Sequence, residues 1–191
     1  MIDTRKKDDE KQQSIKNAVV RLILEEGFQG ASIAKIARTA GVSPATVYIY
    51  YDNKEAMLQD IYQECTDDAV HSLAGCVRPG MDGAEIIERL VRRYYGYIVQ
   101  NREVFYFIEQ FDTCPALCNS CNTVRGSAYL NRLLTELKQK HVLGDFDTDN
   151  LYAILFAPVK RIACHSESDK SAPDRLEELI RMIQKALIQK F

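Results

Sequence analysis

The sequence predicts an all-α protein of about nine helices, and three observations carry that prediction. Apolar residues recur three and four apart through most of the chain, the spacing that gathers them on one helix face. These runs are bounded by Ser, Asp or Asn on one side and Gly or Pro on the other, the residues that start and stop helices. No segment alternates apolar and polar residues convincingly enough to read as a strand.

Composition sets the outer bounds. The chain has 191 residues, 46% hydrophobic and 27% charged, enough for a packed core in one domain or two small ones. Net charge is −2, and residues 1–58 hold nine Lys/Arg against eight Asp/Glu. Net charge therefore neither shows nor excludes a nucleic-acid partner; any positive face is local, and non-specific affinity for DNA is expected to be modest. No apolar run approaches a membrane span, and the start MIDTRKKDDEKQQ has no signal-peptide core, so a cytoplasmic protein without a membrane partner is expected. The six cysteines are then expected to be reduced thiols rather than a disulfide framework.

The first helix carries the stripe Ile15, Ala18, Val19, Leu22 and Ile23 and ends at Gly27. Arg5, Lys6 and Lys7 form a basic patch ahead of it, either a solvated terminus or an arm reaching phosphate or the minor groove. Phe28 plugs into the small core, and Gly30-Ala31 leads to a cap at Ser32.

Residues 32–58, SIAKIARTAGVSPATVYIYYDNKEAML, are the stretch around which the rest is organised. Ile33, Ile36 and Ala37 make one apolar stripe on a short helix. Gly41 sits where a helix ends in a left-handed residue. Ser43 then caps a second helix, with Pro44 at the first helical position, where no donor is lost. Val47 and Tyr51 continue the buried side, leaving Pro44, Ala45, Thr46, Tyr48 and Tyr50 outward. A further capping segment, 52–55, opens a longer helix with Ala56, Met57, Leu58 and Ile61. Two short helices about a glycine turn form a helix-turn-helix, whose second helix can lie in the major groove of DNA. An ordinary helical hairpin would not need so many outward hydroxyls, nor a lysine at 54, all suited to phosphate oxygens and base edges.

GVSPATVYIYYDNKEAML resembles the recognition segment of the tetracycline-repressor (TetR/AcrR) family, and SIAKIARTA resembles the helix before it. The likeness covers roughly the first third of the chain, with caps, glycine, aromatics and lysine all in register. It implies that Tyr48, Tyr50, Lys54 and Ser32 meet phosphates, and that Pro44, Ala45 and Thr46 approach bases from a helix capped by Ser43. It also implies a homodimer built from the last two helices, an inverted-repeat operator in double-stranded DNA, and an unknown small-molecule effector bound among the middle helices. The expected division is a helix-turn-helix domain over 1–55 and a helical regulatory and dimerisation domain over 56–191.

The fourth helix runs to about residue 74 through Leu58, Ile61, Tyr62, Cys65, Ala69 and Leu73, which makes it the connector between the two parts. A loop over 75–83 follows. Ile87, Leu90, Val91, Tyr94, Tyr95 and Ile98 mark the next helix, and Val104, Phe105, Phe107, Ile108 and Phe111 the one after. Leu130, Leu133, Leu134 and Leu137 belong to a helix from about Leu117 to His141, stopped at Gly144. Asp147 caps the next, which carries Leu151, Ile154, Leu155, Val159 and Ile162, with Pro158 expected to kink it or shift its start. A loop over 166–173 precedes the last helix, with Leu176, Leu179, Ile180, Ile183 and Leu187. Met182 and Ile188 lie off that stripe, a surplus that suggests a second buried surface.

Two constellations remain. Tyr94, Tyr95, Phe105 and Phe111 combine ring area with hydroxyls, which suits an apolar pocket for a mostly apolar, aromatic effector, with Arg93, Arg102 and Glu109 as nearby charges. Cys114, Cys118 and Cys121 share one face if helical, and Cys114 lies near an N-cap. They are either packed apolar thiols, the simpler account, or a redox- or metal-responsive cluster, with Cys164 and His165 as further ligands only if the fold brings them close. No catalytic arrangement or phosphate-binding glycine loop stands out, so neither an enzyme nor a cofactor is expected.

Overall fold

The computed structural model describes residues 4–78, 80–112 and 125–188. Among the described residues there are nine helices and no strand. They are α1 (Thr4–Gly30), α2 (Ile33–Ala40), α3 (Pro44–Tyr50), α4 (Lys54–Ala74), α5 (Gly83–Gln100), α6 (Arg102–Asp112), α7 (Arg125–Gln139), α8 (Thr148–His165) and α9 (Ala172–Leu187). No helix among these residues is long and apolar enough to cross a membrane. The chain divides into two compact units: Met1–Cys65 with Glu103–Asn122, and Thr66–Arg102 with Thr123–Phe191. The functional boundary expected at 55/56 falls in the first turn of α4, while the division by compactness falls further along that helix.

In the first unit, Ile15, Val19 and Ile23 of α1, Ile36 and Ala37 of α2, Val47 of α3 and Met57 and Ile61 of α4 are fully buried. From α6, Phe107 and Phe111 join them. Phe111 is the centre of an aromatic cluster: Tyr62 stacks on it at 4.3 Å, Phe28 meets it edge-on at 5.5 Å and Phe107 lies 5.8 Å away. Lys16 is buried among these helices, with its ammonium 3.0 Å from Glu64.

α1 begins well before its apolar stripe, so Arg5, Lys6 and Lys7 lie within the helix rather than ahead of it. Lys, Arg, Gln and one Glu make up seven of the nine residues from Arg5 to Gln13, and these lose little freedom in a helix; extending a packed helix also avoids the cost of a new nucleus. Ser14 Oγ donates to the Glu10 carbonyl at 2.9 Å, and Gln13 bonds Asn17 one turn on. Gly27, at φ 72° and ψ 178°, breaks the helical path where the sequence expects the helix to end.

The core of the second unit is made from Ile86, Ile87, Leu90 and Val91 of α5, Leu130, Leu133 and Leu134 of α7, Leu151, Leu155 and Val159 of α8, and Leu176, Ile180 and Ile183 of α9. α5 opens with a reciprocal capping box between Asp82 and Glu85. Arg92 holds α5 to α9 through a two-pronged ion pair with Glu177, at 2.6 and 2.7 Å. Arg102 closes the end of α8: its Nη atoms donate to the Ala163 and Cys164 carbonyls and to Ser166 Oγ, and its Nε faces Glu167 at 3.1 Å as an ion pair without hydrogen-bond alignment.

Pro158 does not move the start of α8, which begins at Thr148 behind its Asp147 cap and continues to His165. Pro158 has no amide hydrogen to give the Ile154 carbonyl, so the helix runs on through it one hydrogen bond short. α9 begins at Ala172, with Pro173 inside its first turn rather than in the preceding loop, consistent with proline's fit at a helix start.

Candidate nucleic-acid interface

The surface around α3 is built by caps. Ser32 Oγ accepts from the Lys35 amide and starts α2. Gly41, at φ 70° and ψ 27°, ends α2 in the left-handed region; its amide bonds the Arg38 carbonyl at 3.3 Å, and the Val42 amide bonds that of Ala37 at 2.9 Å. A β-carbon at this φ costs about 1–2 kcal/mol, which is why glycine stands here. Two residues later Ser43 Oγ accepts from the Thr46 amide at 3.1 Å and lies 2.9 Å from Thr46 Oγ1, with Pro44 at the head of α3. Val47 is the one fully buried residue of α3 and seats the helix on its unit.

What α3 shows to solvent is largely apolar and aromatic. Pro44 and Ala45 are exposed, Tyr48 is 56% exposed and Ile49 76% exposed. Ile49 was not singled out from the sequence, yet it is the most exposed of the large hydrophobic residues described. The signal was available: Ile49 lies two residues from buried Val47, hence on the opposite side of the helix. Arg38, in the last turn of α2, is also exposed and has no ion-pair partner among the described residues.

The expected DNA-contacting residues therefore fall into three groups. Pro44, Ala45 and Tyr48 stand exposed, and Thr46 is half-buried beneath the Ser43 cap. Ser32 and Ser43 are exposed but already use their hydroxyls to cap α2 and α3. The remaining two, Tyr50 and Lys54, have polar ends engaged inside the unit. The Tyr50 hydroxyl donates to Asp8 of α1, and the Lys54 ammonium donates to the Phe28 carbonyl. Hydrogen bonding to Asp8, with some burial, pushes the Tyr50 pKa up to about 12, so it stays a neutral donor. A phosphate that takes either group replaces a carboxylate or a carbonyl as its acceptor.

Of the residues expected at an effector, Tyr94 and Tyr95 are half-buried on α5 in the second unit, Tyr94 meeting Phe156 edge-on at 5.0 Å. Phe105 and Phe111 are buried in the first unit. Arg102 is occupied by the end of α8, and Arg93 Nε donates to the Ser72 carbonyl. Cys114, Cys118 and Cys121 lie outside the described residues. Cys164 is half-buried, and His165 Nδ1 donates to the Arg161 carbonyl at 2.8 Å. Among the described residues no group of three or more His, Cys, Asp or Glu is placed to hold a metal ion.

Comparison with known proteins places this segment among described families. Residues 15–61 match the family described as "Bacterial regulatory proteins, tetR family". The chain is 25% identical over 88 residues to the fatty acid metabolism regulator protein of Bacillus subtilis, a match covering 46% of this chain and 45% of that protein. It spans less than half the length of the first curated relatives it matches. A TetR family transcription regulator from Marinobacter aquaeolei VT8 superposes with a TM-score of 0.83 at 25% identity, covering 98% of this chain and all of that one. FadR of Bacillus subtilis, solved in complex with stearoyl-CoA, shares the fold with a TM-score of 0.71 at 18% identity, over 90% of this chain and 96% of that one.

Proposed function

We propose that the chain, a member of the TetR family, is a transcriptional repressor released from its operator by a small molecule. The observation that carries the DNA-binding half is the exposed side of α3, held outward by the Ser43 cap and buried Val47. On this reading α3 enters the major groove, with Pro44, Ala45 and Thr46 near base edges. Ser32, Ser43, Tyr48, Tyr50 and Lys54 position the backbone. Selection of bound sequences from a random DNA pool tests it: recovery of a shared inverted repeat is expected, and an unenriched pool would refute it.

The homodimer is assigned to α8 and α9. Ile154 of α8 and Met182 of α9 are 41% and 60% exposed, Phe146 just ahead of α8 is 46% exposed, and a groove about Phe146, Ala153, Ile154 and Leu187 offers apolar surface for a second copy. The effector is assigned to the second unit, beside Tyr94 and Tyr95, and the stearoyl-CoA complex of the Bacillus subtilis relative supports a ligand with a long apolar portion. α4 links the parts covalently, since it begins in the first unit and ends in the second. Ligand and operator then favour different placements of α4 and bind antagonistically.

A further inference from the structure

We infer that the second unit carries an anion site, a cleft between the end of α4 and the middle of α5 that takes the phosphate or diphosphate group of a small molecule. The cleft encloses about 510 Å³ and is lined by His71 and Ser72 of α4, by Cys76, and by Arg89, Arg92 and Arg93 of α5. Spacings of three and four place the three guanidinium groups on one helix face. No carboxylate is among the lining residues, although the chain as a whole has a net charge of −2.

The three arginines are not equivalent. Arg92 is paired with two carboxylates: its Nε donates to Glu88 at 2.8 Å and its two Nη atoms to Glu177. It joins helices and adds little field. Arg93 uses only its Nε, on the Ser72 carbonyl at 3.0 Å. That bond satisfies one of the last orphan carbonyls of α4 and leaves both Nη atoms without a partner among the described residues. Arg89 is exposed and makes no ion pair or side-chain hydrogen bond among the described residues. Arg89 and Arg93 are like charges four apart on a helix, an arrangement that repels itself until an anion lies between them. Guanidinium forks grip phosphate through paired, charge-assisted hydrogen bonds.

Two neighbours line the same cleft. His71 Nδ1 donates to the Asp67 carbonyl at 2.8 Å, leaving Nε2 available at the cleft. The Cys76 thiol registers the local field: burial raises its pKa, and Arg93 and Arg89 draw it back down. A phosphate held here would tie the last turn of α4 to α5. Any resulting effect on operator affinity rests on the proposed function; the binding itself does not.

The test is calorimetric titration of the full chain, without DNA, with inorganic pyrophosphate at about 0.15 M salt, where long-range charge is screened. Orthophosphate and ADP run in parallel, to tell a free phosphate site from one that takes a phosphorylated organic molecule. One saturable site is expected. Arg89→Gln, which removes no internal contact, should weaken it about tenfold, the worth of one hydrogen bond to a charged group. Arg132→Gln, exposed on α7, is the control and should leave it unchanged. Circular dichroism confirms the fold of each variant. The inference is overturned if no pyrophosphate binds at up to about 10 mM, or if the two substitutions weaken binding equally, which would mark diffuse charge. Operator binding on the same samples keeps the two readings apart. Pyrophosphate binding without an operator would leave the site standing and the regulator reading fallen; the reverse would remove the site alone.

Discussion

At the scale of single residues, the groups expected to meet DNA do double duty, and substitutions must be read with that in mind. Lys54→Ala should weaken binding to all sequences and flatten the salt dependence by about one unit of slope, because one phosphate contact is lost. It also orphans the Phe28 carbonyl, so a loss of stability of about 1 kcal/mol should accompany it. Urea denaturation beside DNA titration separates the two, and an unchanged salt slope would remove Lys54 from the interface. Tyr50 makes a prediction about pH. Its pKa is raised from 10.0 to about 12 in the folded unit, chiefly by the bond to Asp8. The neutral phenol is thus favoured by folding; its contribution is whole below about pH 10 and disappears as pH rises towards 12. Part of the stability lost between about pH 10 and 12 should be missing in Tyr50→Phe. Equal losses in both proteins would show that the bond to Asp8 contributes nothing.

At the scale of elements, α3 exists because of its caps. Seven residues with one fully buried side chain are too few to hold a helix by burial. Ser43→Ala should therefore cost about 1 kcal/mol of stability, the usual worth of an N-cap, and should weaken DNA binding only as far as α3 frays. Thr46→Ala is the contrasting change. It deletes the hydroxyl beside Ser43 Oγ but keeps the capped amide, so stability should change little while the preferred operator sequence changes. Repeating the random-pool selection with both variants checks this; an identical preference for Thr46→Ala and wild type would take Thr46 out of base recognition.

At the scale of the whole molecule, dimerisation and linkage are the proposals that matter. Met182→Glu with Ile154→Lys puts charges into the apolar surface assigned to the dimer, and sedimentation at micromolar concentration should then report a monomer. A wild-type monomer under the same conditions would dispose of the assignment. Linkage is tested by reciprocity: an effector that weakens operator binding by some factor, with coupling of about 1–3 kcal/mol, must itself be weakened by operator DNA by the same factor. A compound bound equally by free and DNA-bound protein is not an inducer.

The sequence alone determined the features that depend on local chemistry. The left-handed end of α2 at Gly41, the Ser32, Ser43 and Asp147 caps, Pro44 at the head of α3 and the chain break at Gly27 are each dictated within a few residues. Apolar periodicity likewise marked the buried side of most helices, because a helix face is written at spacings of three and four. Tertiary structure decided what local pattern cannot encode. The polar start of α1 has no stripe to announce it, and Pro158 sits inside a helix that runs from Thr148 to His165 instead of moving its start. The pairing of Tyr50 with Asp8, of Lys54 with the Phe28 carbonyl and of Arg92 with Glu177 joins residues from 26 to 85 positions apart. A carboxylate or carbonyl that far along the chain leaves no periodic trace, so only folding reveals which charges are already satisfied and which, like Arg89, have no partner among the described residues.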